Sequence, residues 1–216
     1  MTDGEAVPEG PEAREAIKWT KPQVMEGEIV RIEPLERRHV PDLALVGDDE
    51  EIWAYMLEPR RAGKVDVARF VDAALGARVK GERFAYAIVA RGSGRAVGST
   101  SYLDIEPHHG RIEIGSTWLG RAFWRSGANT EAKLLMLTHA FDDIGAHRVA
   151  LKTDGRNLRS QAAILRLGAK KEGVLRRHMR LPDGYVRDTV YFSILRDEWP
   201  EVRRKLTESL EKHRSR

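Results

Sequence analysis

The chain of 216 residues contains no cysteine. That excludes a disulfide framework, a thiolate metal site and a cysteine nucleophile, and it suits a reducing compartment. No run of about 18 apolar residues occurs, so no segment is long enough to span a bilayer. The opening MTDGEAVPEGPEAREA is acidic and lacks the basic and apolar regions of a secretory signal. The expected location is therefore cytoplasmic, without a membrane partner. Several catalytic signatures are also missing. There is no G-x-x-x-x-G-K-[ST] phosphate loop, no G-x-S-x-G nucleophile elbow and no H-E-x-x-H metal pair. Gly92 and Gly94 resemble the start of a dinucleotide loop, but Gly98 is wrongly spaced and strands follow, so RGSGR reads as a hairpin turn. His108 and His109 fall in a turn between strands and His139 lies inside a helix, so no metal site is expected.

What is present suits one folded body: 41% hydrophobic and 32% charged residues. Net charge is +4, unevenly spread. Six acids and three bases in residues 1–27 leave the rest of the chain at +7, and residues 165–187 hold seven bases against two acids. Such a body attracts anions, whether nucleic acid, a polyphosphate cofactor or an acidic surface, unless the bases simply form a solvated face.

Residues 1–27, with three prolines and few aliphatics, read as a tail whose Trp19 docks on the body. Alternation predicts strands over 28–33, 84–90, 96–105, 111–119, 147–153, 170–181 and 187–195. Helical spacing predicts helices over 38–46, 65–79, 127–144 and 198–213. Another runs from the N-cap Asn157 to about Leu167. Gly145 and Gly168 sit at helix C-termini. The order β-α-α-β-β-β-α-β-α-β-β-α implies one α+β domain with a mixed sheet.

The most informative stretch is 118–132, WLGRAFWRSGANTEA: a strand end, a polar loop and a helix start. A helix N-terminus carries unpaired N–H groups and a partial positive charge. Ser126, Gly127, Ala128, Asn129 and Thr130 are small enough for a phosphate to approach that backbone. Arg121 and Arg125 add positive charge. The same features also describe an ordinary helix start, with Gly127 merely turning the chain.

From Glu28 to Trp199 the chain resembles the GNAT superfamily of acyl-CoA-dependent N-acyltransferases. It is similar in particular to the subgroup of ribosomal-protein N-terminal acetyltransferases. The resemblance rests on RIEIGSTWLG (111–120), AFWRSGANTEA (122–132), FDDIGAHRV (141–149), NLRS (157–160), LRLGAKKEGVLR (165–176), DGYVRDTVYFSIL (183–195) and EW (198–199), in family order. It implies a single GNAT-like domain over 28–199, a tail over 1–27 and a C-terminal helical extension over 200–216. It implies a twisted, mostly antiparallel sheet of about seven strands, splayed at the acyl-CoA site, with acetyl-CoA as co-substrate and no metal.

The family holds the pyrophosphate in the loop that here reads Trp124, Arg125, Ser126, Gly127, Ala128 and Asn129, running into Thr130. Gly127 matches the family pattern; Trp124 replaces an Arg/Gln, and Asn129 replaces the closing small residue. Trp118 and Leu119 correspond to the strand end that pairs with the pantetheine arm, and an N–H near Leu119 is the implied oxyanion donor. Asn157 corresponds to a cofactor-contacting Asn, besides its cap role. Ser160 corresponds to a residue that protonates the leaving thiolate, or is a plain first-turn helix residue. Many members instead place a Tyr at the position of Ile164. Glu113 is the candidate base, with a structural ion pair or a solvated strand residue as alternatives.

With no nucleophile motif, direct attack by an amine in a ternary complex is expected. An α-amine with pKa about 7.8 is about a quarter free base at pH 7.4, whereas a lysine amine at about 10.4 is only about 0.1% free. A weakly defined base thus favours a protein N-terminus or another low-pKa amine as acceptor. Three alternatives remain at this level: a small-molecule amine acceptor, a different acyl-CoA, or a non-catalytic basic module binding nucleic acid or the ribosome. No RNA-recognition motif accompanies the bases of 166–187, which disfavours nucleic acid. A homodimer is left open. Residues 38–79 and the last hairpin carry the acceptor specificity implied by the family; Glu50, Glu51, Trp53 and Tyr55 either line that pocket or form a helix end with its apolar anchor.

Overall fold

The computed structural model describes residue 19 and residues 21–58, 60–61 and 64–214. Residues 1–18 and 20 of the segment read as a tail therefore lie outside the described residues. Within the remainder, Trp19 is buried in the core, and Met25–Glu26 forms a short strand, β1. The chain continues as β2 (Val30–Pro34), α1 (Val40–Val46), α2 (Glu50–Trp53), β3 (Arg60–Arg61), β4 (Lys64–Val65) and α3 (Val67–Val79). Strands β5 (Arg83–Ala90), β6 (Ala96–Glu106) and β7 (Arg111–Leu119) precede α4 (Ala128–Thr138). Then come β8 (Arg148–Asp154), α5 (Leu158–Arg166), β9 (Lys170–Arg180), β10 (Val186–Leu195) and α6 (Trp199–Arg214).

Eight strands form one sheet in the order β1-β2-β5-β6-β7-β8-β10-β9, and β3 and β4 pair separately. The eighth strand beyond the expected seven is β1, which pairs antiparallel with β2. The expected helix over 127–144 is α4 followed by a π-helical turn, His139–Ile144, ended by Gly145 in the left-handed region at φ 87°. Asp49, Asp66 and Asn157 cap α2, α3 and α5 through side-chain acceptors, each cap contributing about 1 kcal/mol.

Period-two alternation distributes β5 to both faces of the sheet. Phe84, Tyr86, Ile88 and Ala90 join a core with Ile112, Ile114, Val149, Leu151, Val190, Phe192 and Ile194, packed under α4, α5 and α6. Ala85, Ala87 and Val89 face the opposite way, into a second core with Leu43, Trp53, Phe70, Val71 and Trp118. That second core takes no residue from β8, β9 or β10. On this face those strands carry polar groups instead, among them Lys152, Tyr191 and Ser193.

Candidate acyl-transfer site

Every pairing in the large sheet is antiparallel except β7 with β8, which run parallel. That pair is registered only at Arg111 with Arg148, Ile112 with Val149 and Glu113 with Ala150, and then the strands part. The cause lies in β7. Ser99 pairs with Trp118 and Ser101 with Gly115, so Thr100 alone faces Ser116 and Thr117. Two residues opposite one make a bulge, which bends the strand. Ser116 adopts φ 48° there. Beyond Glu113 the β8-side backbone of β7 is left without a partner strand. Gly120 N–H donates to Val97 O, back toward β6. Alternation turns the Leu119 N–H the other way, toward the split.

Helix α4 starts beside the mouth of this split. Gly127 is its N-cap at φ 82° and accepts from Glu131 N through its carbonyl. A Cβ on Gly127 would lie 2.9 Å from Ile29 Cδ1 and 3.0 Å from His213 Cδ2. Glycine is thus favoured here by the left-handed conformation, and a larger residue would also displace the side chains of Ile29, just before β2, and His213 of α6. Ser126 Oγ donates to Phe123 O at 2.7 Å and accepts from Ala128 N at 3.4 Å. Ala128 is buried, Asn129 and Thr130 are half-buried, and Arg125 is exposed in a left-handed conformation at φ 62°. Trp124 bolts the loop to the strand: its Nε1 donates to Leu119 O at 2.9 Å. Its ring carries the Arg159 guanidinium at 3.7 Å and that of Arg121 at 5.6 Å. Leu119 is buried in the first core, and Trp118 is 3% exposed in the second, its Nε1 without a hydrogen-bond partner among the described residues.

Across the split, α5 presents Asn157 and Ser160. Asn157 Oδ1 accepts from Ser160 N at 3.0 Å. Ile164 is buried in the core. Arg159 reaches from this helix over Trp124 and also meets Glu51 at 3.1 Å, and Arg121 meets Glu51 at 2.9 Å. The two sides of the mouth are thereby joined by stacked and paired charges. Glu50–Trp53 is a short helix whose Trp53 is a buried anchor, its Nε1 donating to Gly47 O at 2.7 Å. The Tyr55 ring lies 5.6 Å from the Arg156 guanidinium.

Glu113 stands at the vertex of the split and is only 2% exposed. Lys152 Nζ pairs with its Oε2 at 2.8 Å, while Oε1 is buried with no hydrogen-bond partner among the described residues. Burial pushes its carboxyl above the usual range, and Lys152 opposes the shift. Farther along the same strand, Ser116 Oγ accepts from Arg83 Nη2 at 3.0 Å. Glu58 interacts with both Ser116 and Arg83; burial raises its carboxyl, with Arg83 opposing. The arrangement therefore offers a parted pair of parallel strands with an exposed strand edge, helix N-termini on both sides, and a buried carboxylate with one oxygen to spare.

The split brings Glu113, Leu119, the 124–130 loop, Asn157 and Ser160 to one region of the fold. Trp118 packs its ring into the second core, and the alternation that turns Leu119 toward the split turns the Trp118 main chain toward β6. Reading the sequence did not single out Lys152, Arg159 or Lys133. Lys152 becomes Glu113's partner only through the β7–β8 pairing. Lys133 left a legible trace, as a lone cation on the apolar stripe that Met136 and Leu137 of α4 continue into Ala140 of the π-helical turn.

The family described as acetyltransferase (GNAT) domain matches residues 30–170. Among curated proteins, the chain is 27% identical over 121 residues to the uncharacterized N-acetyltransferase p20 of Bacillus licheniformis, covering 56% of this chain and 67% of that protein. It is 31% identical over 106 residues to YdaF of Bacillus subtilis strain 168, whose name provisionally assigns it as a ribosomal N-acetyltransferase; the match covers 49% of this chain and 57% of YdaF. Among solved structures, a GCN5-related N-acetyltransferase from Brucella melitensis superposes with TM-score 0.79 at 30% identity, covering 86% of this chain and 84% of that one. A provisionally named acetyltransferase from T. thermophilus also gives 0.79, at 39% identity over 88% of this chain and 98% of that one.

Proposed function

Because the chain belongs to the GNAT acetyltransferase family, we propose that it transfers the acetyl group of acetyl-CoA directly to a primary amine, with the α-amine of a protein N-terminus as the acceptor class. The observation that carries this reading is the parting of β7 and β8 after Glu113 and Ala150, with a buried carboxylate oxygen lacking a donor at the vertex. The residues present fit such a co-substrate. The unpaired edge of β7 around Leu119 suits the amide-bearing pantetheine arm, and the amides of the loop end and first turn of α4, Ser126–Thr130, suit phosphates. Asn157 and Arg159 stand on the opposite rim. When bound, acetyl-CoA supplies an acetyl group already activated as a thioester.

The protein's own residues then position and move protons. Glu113 Oε1 takes up the proton of the incoming ammonium or attacking amine through intervening water, since six residues of strand, about 20 Å, separate it from Leu119. Lys152 keeps Glu113 oriented through Oε2 and limits how far burial raises its pKa. The Leu119 N–H is the donor for charge developing on the carbonyl oxygen. Ser160, in the first turn of α5, is the proton donor on the leaving side. The α-amine acceptor is favoured because such an amine is substantially unprotonated near neutrality, so one buried carboxylate suffices. The name of the YdaF relative points the same way.

The test is calorimetry of the full chain with acetyl-CoA, then turnover on peptides offering either an α-amine or a lysine side chain. Glu113→Gln is expected to bind acetyl-CoA like the wild type while losing about 10²–10⁴ in turnover, with the larger loss on the lysine acceptor. No acetyl-CoA binding overturns the reading, and unchanged turnover removes Glu113 from the role of base.

A further inference from the structure

Helix α4 buries one cation that none of these roles uses. Lys133 shares the apolar stripe of Met136, Leu137 and Ala140 and is 5% exposed. Its Nζ donates to Thr117 Oγ1 at 2.6 Å and to Thr100 Oγ1 at 3.3 Å, and those two hydroxyls lie 2.8 Å apart. Both threonines belong to the bulge that parts β7 from β8. Among the described residues Lys133 has no ion pair. A lysine is rarely buried so far without one, because an uncompensated ammonium is costly in a low-dielectric interior.

The titratable groups on and against α4 have other engagements. The Glu131 carboxylate accepts the N–H groups of residues 28–30. Tyr102 of β6 donates its hydroxyl to Met136 O, and its own ionisation is pushed far up by burial. His139 pairs with Asp143, and His213 of α6 lies over Gly127. Burial alone accounts for the depression of the Lys133 amine, to about 7.

We propose that Lys133 is the internal counter-charge of the acyl-CoA site, a buried amine that takes up one proton when the polyanionic co-substrate enters the split. The inference rests on the acyl-CoA reading above. Lys133 follows Ala128 by about 7.5 Å along the helix axis, at 1.5 Å per residue, so its charge acts on anions held at the start of α4. A double negative charge at about 10 Å, with an effective dielectric near 20, strengthens protonation of the amine by more than tenfold. The proton comes from solvent and forms the third N–H bond of the ammonium; no other reactant is needed. By linkage, protonation strengthens binding by the same factor. A lysine that merely braced helix against strand would keep one protonation state throughout.

The experiment is calorimetry of acetyl-CoA binding to the full chain at pH 8 in buffers of low and high ionisation enthalpy. Phosphate monoesters, with second pKa about 6, are already ionised there. The wild type is expected to take up about 0.9 proton per acetyl-CoA. Its affinity is expected to weaken by roughly 30-fold from pH 7 to pH 9. Lys133→Met is expected to lose both effects. If that variant does not fold, 13C NMR of labelled lysine in the wild type decides alone. One lysine is expected to titrate near neutrality, with its midpoint raised by more than one pH unit when acetyl-CoA is added. Binding without proton uptake, uptake undiminished in folded Lys133→Met, or no lysine titrating near neutrality overturns the inference and leaves the acyl-CoA reading standing. Absence of binding heat in the wild type overturns both.

Discussion

The position of α4 over the sheet depends on one carboxylate, and its removal has a calculable consequence. Glu131, in the first turn of α4, is 3% exposed. Its Oε1 accepts from Glu28 N at 3.0 Å, and its Oε2 from Ile29 N and Val30 N, both at 2.7 Å. Three consecutive main-chain donors, from the turn after β1 to the first residue of β2, thus converge on one anion from a helix about a hundred residues later in the chain. Hydrogen bonds to a charged group contribute about 1.5–3 kcal/mol each. Two of the three here are only partly buried, which places each of those near the lower bound. Glu131→Gln keeps the shape, but it replaces one acceptor oxygen with an NH2 facing N–H groups. The expected cost is about 3–4 kcal/mol. For a chain of this size that corresponds to a fall in Tm of roughly 6–15 °C by differential scanning calorimetry. Gly27 provides an independent approach to the same contact. A Cβ there would lie 2.5 Å from Glu131 Oε2 and 2.7 Å from Val30 O. Gly27→Ala is therefore expected to destabilise by displacing the carboxylate, and its effect should shrink when Glu131 is already Gln. A fall of less than about 2 °C in Glu131→Gln, or strict additivity of the two changes, refutes the account.

Two further outcomes follow from the ion pair at the vertex and the cap across the split. Glu113 is raised by burial and partly restrained by Lys152, so turnover falls as pH drops through that raised pKa; Lys152→Met removes the restraint and should move the acid limb of the rate profile to higher pH, whereas an unmoved limb would sever the pair from catalysis. Asn157→Ala removes the cap that accepts from Ser160 N; it should lower stability by about 1 kcal/mol in thermal denaturation and weaken acetyl-CoA binding in calorimetry, and unchanged affinity would restrict Asn157 to its cap role.

Local sequence determined most elements of this protein because their causes are local. Alternation in FAYAIVA and RIEIGSTWL marks strands whose two faces are both buried or half-buried. Asn157 as a cap, and Gly145 and Gly168 as left-handed helix ends, depend only on backbone conformation and nearby hydrogen bonds. The helix start after Gly127 was legible for the same reason, since a left-handed N-cap glycine followed by helix-forming residues is a local pattern. Only the tertiary structure decided what depends on pairing between distant segments. The two-residue β1 is too short to show a period and exists because β2 offers an edge. The bulge at Ser116 and Thr117 follows from the register of β7 on β6, and with it the place where β7 leaves β8. That parallel pairing sets Lys152 against Glu113, and the seating of α4 on the sheet encloses Lys133 between Thr100 and Thr117. The charge state of a buried group is set by what surrounds it in space, and those surroundings come from residues far apart in the chain.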